Sequence, residues 1–529
     1  MGQDFPYMQA PDHIRKDVQR EFRGYEHTES CTDGGIYDMT NLCGDLSPVL
    51  SPRRPRRLYK RLEKPNGLYA REKLYWVDGT GFFEDGVLRG TLTDSKKQFS
   101  SMGSRIMILP DKVVYDTITQ TMTPVESSWS GAATIQDGTY KEEKAAANTI
   151  TSSGVDWAKY FKKGDAVTIE GCTVNPKNNK TIIIREIAGD QLRFYENSFQ
   201  IGEGGDKESA LTISRKMPDL DWAFESENRL WGCKGSTIYA SKRGDPTNWN
   251  VFDGLAGDSY YLEVLSPGPF TGACFFLGYP CFFKENLVHK IYGDKPTNYQ
   301  LLASARLGVA AGSSESLATA GEVLYYLSDA GMIAYSGGIP RLIAAPFGMD
   351  RYTDGVAGSD GVKYYISMRR ADGSYHLFTF DTRTGYWFRE DHVRALGFAW
   401  CQGLYMLDAG GSLWLMGDPP VIPAGTTMEE DVESSVEFGD FIEDSPNKKA
   451  LTRIQLRVEL EEGATMAVFV QYDSDGEWIL LENMTAREKH SCYISAKIHR
   501  CDHYRIKITG RGMWKVYSMA RETIPGSEF

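Results

Sequence analysis

From residue 73 to residue 418 the chain repeats one pattern: a short apolar and aromatic run, a turn built on Gly, Asp or Asn, and a second run often ending in Tyr or Trp. Four copies are KLYWVDGTGFFEDG from Lys73, RIMILPDKVVYDTIT from Arg105, RLWGCKGSTIYASKRG from Arg229 and CFFKENLVHKIYGDKP from Cys281. Three more are VLYYLSDAGMIAYSGG from Val323, KYYISMRRADGSYHLFTFDTRTG from Lys363 and GLYMLDAGGSLWLMGD from Gly403. Each predicts a strand, a tight turn and a strand. The starts lie 32, 124, 52, 42, 40 and 40 residues apart, and excising residues 131–217 reduces the outlier to 37. One hairpin per ~40–45 residues is the period of a four-stranded propeller blade. The pattern therefore predicts an all-β chain with a β-propeller of about seven blades; six also fits, because the first spacing is short.

The excised segment alternates on its own account, with Val167/Ile169, Ile182/Ile184 and Leu192/Phe194 on short strands between Gly, Asn and Asp. It predicts an inserted SH3- or OB-like β-barrel. Such folds can stack nucleic-acid bases on exposed aromatics; Phe161, Phe194 and Tyr195 are the candidates, and core packing is the preferred reading of them. GDPPVIPAGTTMEEDVES reads as an acidic, proline-containing linker. Beyond it Ile454, Leu456, Val458 and Leu460 alternate with Arg453, Gln455, Arg457 and Glu459, the period of a sheet with one wet face, so a C-terminal β-sandwich is expected. The predicted organisation is an extended arm over 1–55 with one helical turn at IRKDVQREF, propeller over 56–130, barrel over 131–217, propeller over 218–420, linker over 421–434 and sandwich over 435–529.

Composition narrows the classes. Apolar residues at 41% and charged residues at 25% describe a globular chain. With 71 acids against 59 bases the net charge is −12, which argues against a dedicated duplex-DNA binder. No apolar run approaches the ~20 residues of a membrane helix, so no membrane anchor is expected. The N-terminus has no apolar signal core, and the nine scattered cysteines contain no CxxC; both predict reduced thiols in a chain made in a cytoplasm.

Motif searches are largely negative. GxxxxGK[ST], HExxH, GxSxG and the EF-hand loop are missing, so no enzyme, cofactor or metal is expected. A glycosidase would need two carboxylates across the sugar; Asp258, Asp329, Asp381, Glu390 and Asp391 lie in loops and read instead as turn residues. His499, Cys501 and His503 alternate along one stretch, but residues i and i+2 of a strand lie ~7 Å apart, too far to share a zinc ion. A turn into YRIKITG is expected there. Ser51–Arg61 carries six bases in eleven residues, open to reading first as a solvated loop neutralised by the protein's own acidic surface, then as a subunit contact or a phosphate grip. Arg53, Arg54, Arg56, Arg57, Glu429, Glu430 and Asp431 are the candidate inter-subunit contacts. GDPTNW and DTRTGYW each set a Trp just after a turn, which suits a wedge between blades and, less well, a sugar-stacking platform.

With these residues laid out, the chain resembles tail proteins of short-tailed bacteriophages, in particular their stabilisation, hub or nozzle proteins. FRGYEHTESCTDGGIYDMTNLCGDLSPVLSPRRPRR is similar to that family's opening. FKKGDAVTIEGC…NNKTIIIREIAGDQLRFYENSF resembles its barrel insertion, and YASKRGDPTNWNVF a recurrent propeller phrase. VESSVEFGDF…KKALTRIQLRVELEEGATMAVFVQYDSDGEW and RIKITGRG…YSMARE resemble its C-terminal β domain. The resemblance implies a non-enzymatic virion-tail component made in the host cytoplasm. It implies a homo-oligomeric ring, hexameric by preference, around the DNA exit channel, touching other tail, adaptor or portal proteins and tail fibres while genomic DNA passes through. The competing expectations are a receptor- or glycan-binding tail-tip module and a polysaccharide-cleaving propeller.

Overall fold

The seven hairpins are the second and third strands of seven small antiparallel sheets, and the chain is a seven-bladed β-propeller. The structure, a computed structural model, describes residues 14–31, 34–141, 144–430, 432–443 and 447–525. Among these the helical content is four three-residue 3-10 turns. The middle strands of the blades are buried on both faces, as in Val323–Ser328 and Lys363–Arg370, and therefore read as unbroken apolar runs. Outer strands such as Thr121–Pro124 and Gln300–Ala305 are mostly exposed and carry little apolar signal.

Contacts divide the chain into two compact units, residues up to 74 together with those from 310, and Tyr75–Val309. Within Tyr75–Val309 lie the four-stranded blades of residues 98–124, 222–263 and 272–305. A seven-stranded sheet interrupts them between Ser127 and Arg215. Its first strand, Ser127–Thr139, pairs with both Ala146–Thr151 and Asp206–Arg215, and a bulge at Gly131/Ala133 bends it. Trp129, Trp157, Ile169, Phe194 and Leu211 fill its core. The GDPTNW turn fastens this insertion to its blade: Asn248 donates to Asp165 at 3.2 Å and accepts from the Ala166 N–H, while Lys162 meets Asp245 at 3.0 Å.

The other unit holds the blades of residues 318–342 and 352–389 and the last blade, Ala395–Trp400, Leu404–Asp408 and Ser412–Leu415. Arg57–Arg61 supplies the last blade's fourth strand from the N-terminal side of the chain, and Thr427–Met428 adds a fifth on Arg57–Leu58. The expected linker is therefore in part blade. The hairpin of this blade turns on Gly411 at φ 83°, where a Cβ would stand 2.1 Å from the Leu62 carbonyl oxygen that follows the closing strand. Only glycine fits there.

The expected extended arm is corrected. Arg15–Gln19, anticipated as a helical turn, is a strand paired with Trp514–Pro525, and Ile36–Thr40 pairs with Glu433–Phe438. Both belong to the C-terminal sandwich, in the strand order Arg15–Gln19, Trp514–Pro525, Lys449–Tyr472, Tyr504–Arg511, Glu433–Phe438, Ile36–Thr40. Ile36, Met39 and Leu42 are buried in that sandwich's core, which supplies the apolar area an isolated arm would lack. Ile454, Leu456, Val458 and Leu460 face inward with Trp514, Val516 and Met519.

Candidate functional site

Two arginines of the basic loop are spent inside the protomer. Arg53 and Arg56 are 5% and 2% exposed. Arg53 makes a forked pair with Glu429, at 2.7 and 3.0 Å, and Arg56 reaches Glu390 at 2.8 Å and Asp391 at 2.7 Å. The Glu429 carboxylate also accepts the Arg56 backbone N–H. Burial opposes ionisation of Asp391 and Glu429, but the arginines override it and hold both carboxyls below the usual range. Arg53, Arg56 and Glu429 are thereby corrected as inter-subunit contacts: their charges are neutralised where the chain enters the closing strand. Arg54 and Glu430 are exposed, Arg57 is half-buried, and Asp431 lies outside the described residues.

Other candidates are also absorbed by the fold. Cys501 is buried with its thiol on the Lys449 carbonyl, and His499 stacks on Tyr472, so these two do not converge with His503 on a metal. Trp249 and Trp387 are buried, donating to the Pro246 and Ile343 carbonyls, and offer no sugar platform. Phe161 and Phe194 are core, while Tyr195 is exposed beneath the Arg185 guanidinium at 3.5 Å. Asp381 is buried and paired with Arg383. Asp258 accepts the Leu255 N–H of its own turn.

The feature that sequence reasoning missed is a groove of about 680 Å³ on the wet face of the sandwich. Strand register builds it. Thr40 sits opposite Ser435, Ser435 opposite Thr509, Thr509 opposite Ala467, and Ala467 opposite Asn483, giving one lateral row across five strands. A second row, Glu433, Arg511, Thr465 and Thr485, runs beside it. The alternate residues Ser434, Met466, Met484 and Trp514 are buried beneath. Register shifts in Lys449–Tyr472 at Leu460/Thr465 and Val468/Phe469 curve the sheet. The small side chains of Ser435, Thr509 and Ala467 leave the middle of the row low. The floor thus offers hydroxyls, an amide and methyl groups, with the Glu433 and Arg511 charges on the flanking row. Neighbouring strands lie about 4.8 Å apart, so the row spans about 19 Å. No local motif announces it, because its residues come from five separated strands.

No protein-family model matches the chain, and no curated protein does. Among solved structures it is similar to an exo-β-1,3-galactanase from Phanerochaete chrysosporium bound to galactose, at 10% identity over 56% of this chain and 94% of that one, with a TM-score of 0.22. An engineered family-43 glycoside hydrolase with endo-xylanase and exo-arabinofuranosidase activity matches at 8% identity over 58% and 96%, TM-score 0.20. The infectious bursal disease virus Gx strain structure matches at 8% identity over 82% and 75%, TM-score 0.14. The expectation of a non-enzyme is corrected by these matches. At such identities and TM-scores their activities are not carried across.

Proposed function

We propose that the chain is a glycan-binding β-propeller protein whose receptor site is the C-terminal sandwich groove. The observation that supports this reading is the neutral row Thr40, Ser435, Thr509, Ala467 and Asn483 in an open groove. Sugar recognition needs closely spaced donors and acceptors for ring hydroxyls together with methyl surface for C–H faces. Threonine supplies both. A neutral oligosaccharide laid across the strands meets a new side chain at every strand step, which favours an extended polymer over a single sugar.

The resemblance to short-tailed phage tail proteins supports placing this module in a virion tail, beside other tail proteins. A ring component lining the DNA exit would draw on the net charge of −12. Its anticipated contacts Arg53, Arg56 and Glu429 are, however, consumed within the protomer, and the glycan-binding reading is the better supported of the two.

The test is a glycan array probed with the labelled full chain and with Ala467→Tyr, which fills the middle of the groove with a residue that strands accommodate well. Wild type is expected to give oligosaccharide hits that the variant loses by at least about tenfold, the equivalent of about 1.4 kcal/mol. Equal binding by both proteins, or no hits with wild type, would contradict the assignment.

A further inference from the structure

Two turns at one end of the sandwich meet in a manner that neither the groove nor the propeller accounts for. Lys449–Tyr472 and Tyr504–Arg511 pair with Tyr472 opposite Tyr504, which sets the hairpin turn at Asp473-Ser474 against the turn at Asp502-His503. One backbone and one side-chain hydrogen bond lock the two together. The Asp473 N–H donates to the His503 carbonyl at 3.1 Å, and the Asp502 N–H donates to the Asp473 carboxylate at 2.8 Å. Asp473 and Ser474 both hold positive φ, 47° and 53°, so the chain reverses within two residues and Ser474 stands exposed at the tip.

At that junction the Ser474 hydroxyl lies 2.7 Å from His503 Nε2, and His503 Nδ1 is hydrogen-bonded to the Asp502 carboxylate. The bond from His503, foremost, holds the Asp502 carboxyl below its usual range. An ionised carboxylate only accepts, so Nδ1 is the donor to it, and the neutral tautomer of this imidazole presents the Nε2 lone pair to the serine hydroxyl. The side chains of His503 and Asp502 are 23% and 45% exposed, and the pair is open to solvent beside Ser474. Lys448 lies 3.4 Å from Asp473 and 3.7 Å from Asp502.

We propose that Ser474, His503 and Asp502 are the nucleophile, base and orienting acid of a site that hydrolyses carboxylic esters. Ser474 Oγ bonds to the ester's acyl carbon while its proton passes to His503 Nε2; the departing alkoxide takes that proton and leaves as the alcohol. Water then attacks the acyl–serine ester, giving its proton to Nε2. Cleavage of the acyl–Oγ bond returns the proton to Ser474 and releases the acid. One ester and one water become one acid and one alcohol, with no oxidant or metal required. The Ser474 and Gly476 backbone N–H groups take no intramolecular partner among the described residues, leaving donors in the same turn for the oxyanion. An exposed site without an enclosing pocket suits an acyl ester carried on a large, surface-presented substrate.

The full chain is incubated with phenylmethylsulfonyl fluoride and mapped by peptide mass spectrometry. Separately, p-nitrophenyl acetate hydrolysis is followed for wild type, Ser474→Ala and His503→Gln. The expected results are a sulfonyl adduct on Ser474 and a fall of at least about tenfold in ester turnover in both variants, since each triad member is needed. The adduct is read on wild type and is independent of how well either variant folds. Absence of the adduct from Ser474, or turnover in Ser474→Ala equal to wild type, would overturn the proposal. Neither outcome depends on whether the groove binds glycans.

Discussion

Replacing Arg56 with methionine tests how the last blade is held shut. Arg56 is 2% exposed, with Nη2 at 2.8 Å from Glu390 and Nη1 at 2.7 Å from Asp391. At an effective dielectric near 20 each contact is worth about 6 kcal/mol before desolvation, and removing two ions from water offsets most of that. Methionine retains the apolar stem but leaves the buried Glu390 and the half-buried Asp391 with only the longer Arg53 contacts, at 3.7 and 3.6 Å, a loss towards the lower end of about 3–5 kcal/mol. With an unfolding slope of about 3 kcal/mol per molar urea, the midpoint for the unit containing residues 310–529 should fall by about 1–2 M. Arg54→Glu is the matched control: Arg54 is exposed, so reversing its charge should change stability by no more than about 0.5 kcal/mol. Urea titrations followed by tryptophan fluorescence and far-UV circular dichroism measure both. An Arg56→Met midpoint within about 0.3 M of wild type would mean that the cluster contributes nothing to blade closure.

Two further outcomes follow from the same unit. Burial, then Arg389 and His392, push His376 down to about 4 from 6.5. Between those values the unfolded chain binds a proton that the folded chain does not, so stability should fall as pH drops from 6.5 towards 4 and level off below. Thermal melts across that range check this, and His376→Gln should flatten the slope. Gly411→Ala forces a Cβ to within 2.1 Å of the Leu62 oxygen at a positive φ and should lower stability by about 1–3 kcal/mol. An unchanged melting temperature would count against that turn geometry.

The propeller was legible because its information is local. The middle strands of each blade are buried on both faces and joined by a tight turn, so LYWVDGTGFF and VLYYLSDAGMIAY announce themselves within about fifteen residues. Arg15–Gln19 was misread because RKDVQ is polar and charged, with the pattern of an exposed edge strand whose partner lies some 500 residues away. The arginine loop was legible only in outline: neutralisation by the protein's own acids is the expected reading, but its partners are not identifiable from the stretch itself. Net composition shows six bases in eleven residues but not that Glu390, Asp391 and Glu429 arrive from distant blade and linker positions to neutralise two of them. The groove and the Ser474–His503 contact are matters of register between separated strands, which no single stretch of sequence encodes.

The proposed glycan seat on the wet face of the C-terminal sandwich can be seen or refuted in crystals of the full chain soaked with an oligosaccharide that the array identifies. The predicted result is sugar density lying across the strands over Thr40, Ser435, Thr509, Ala467 and Asn483. Density seated elsewhere on the chain, with this face bare, would contradict it.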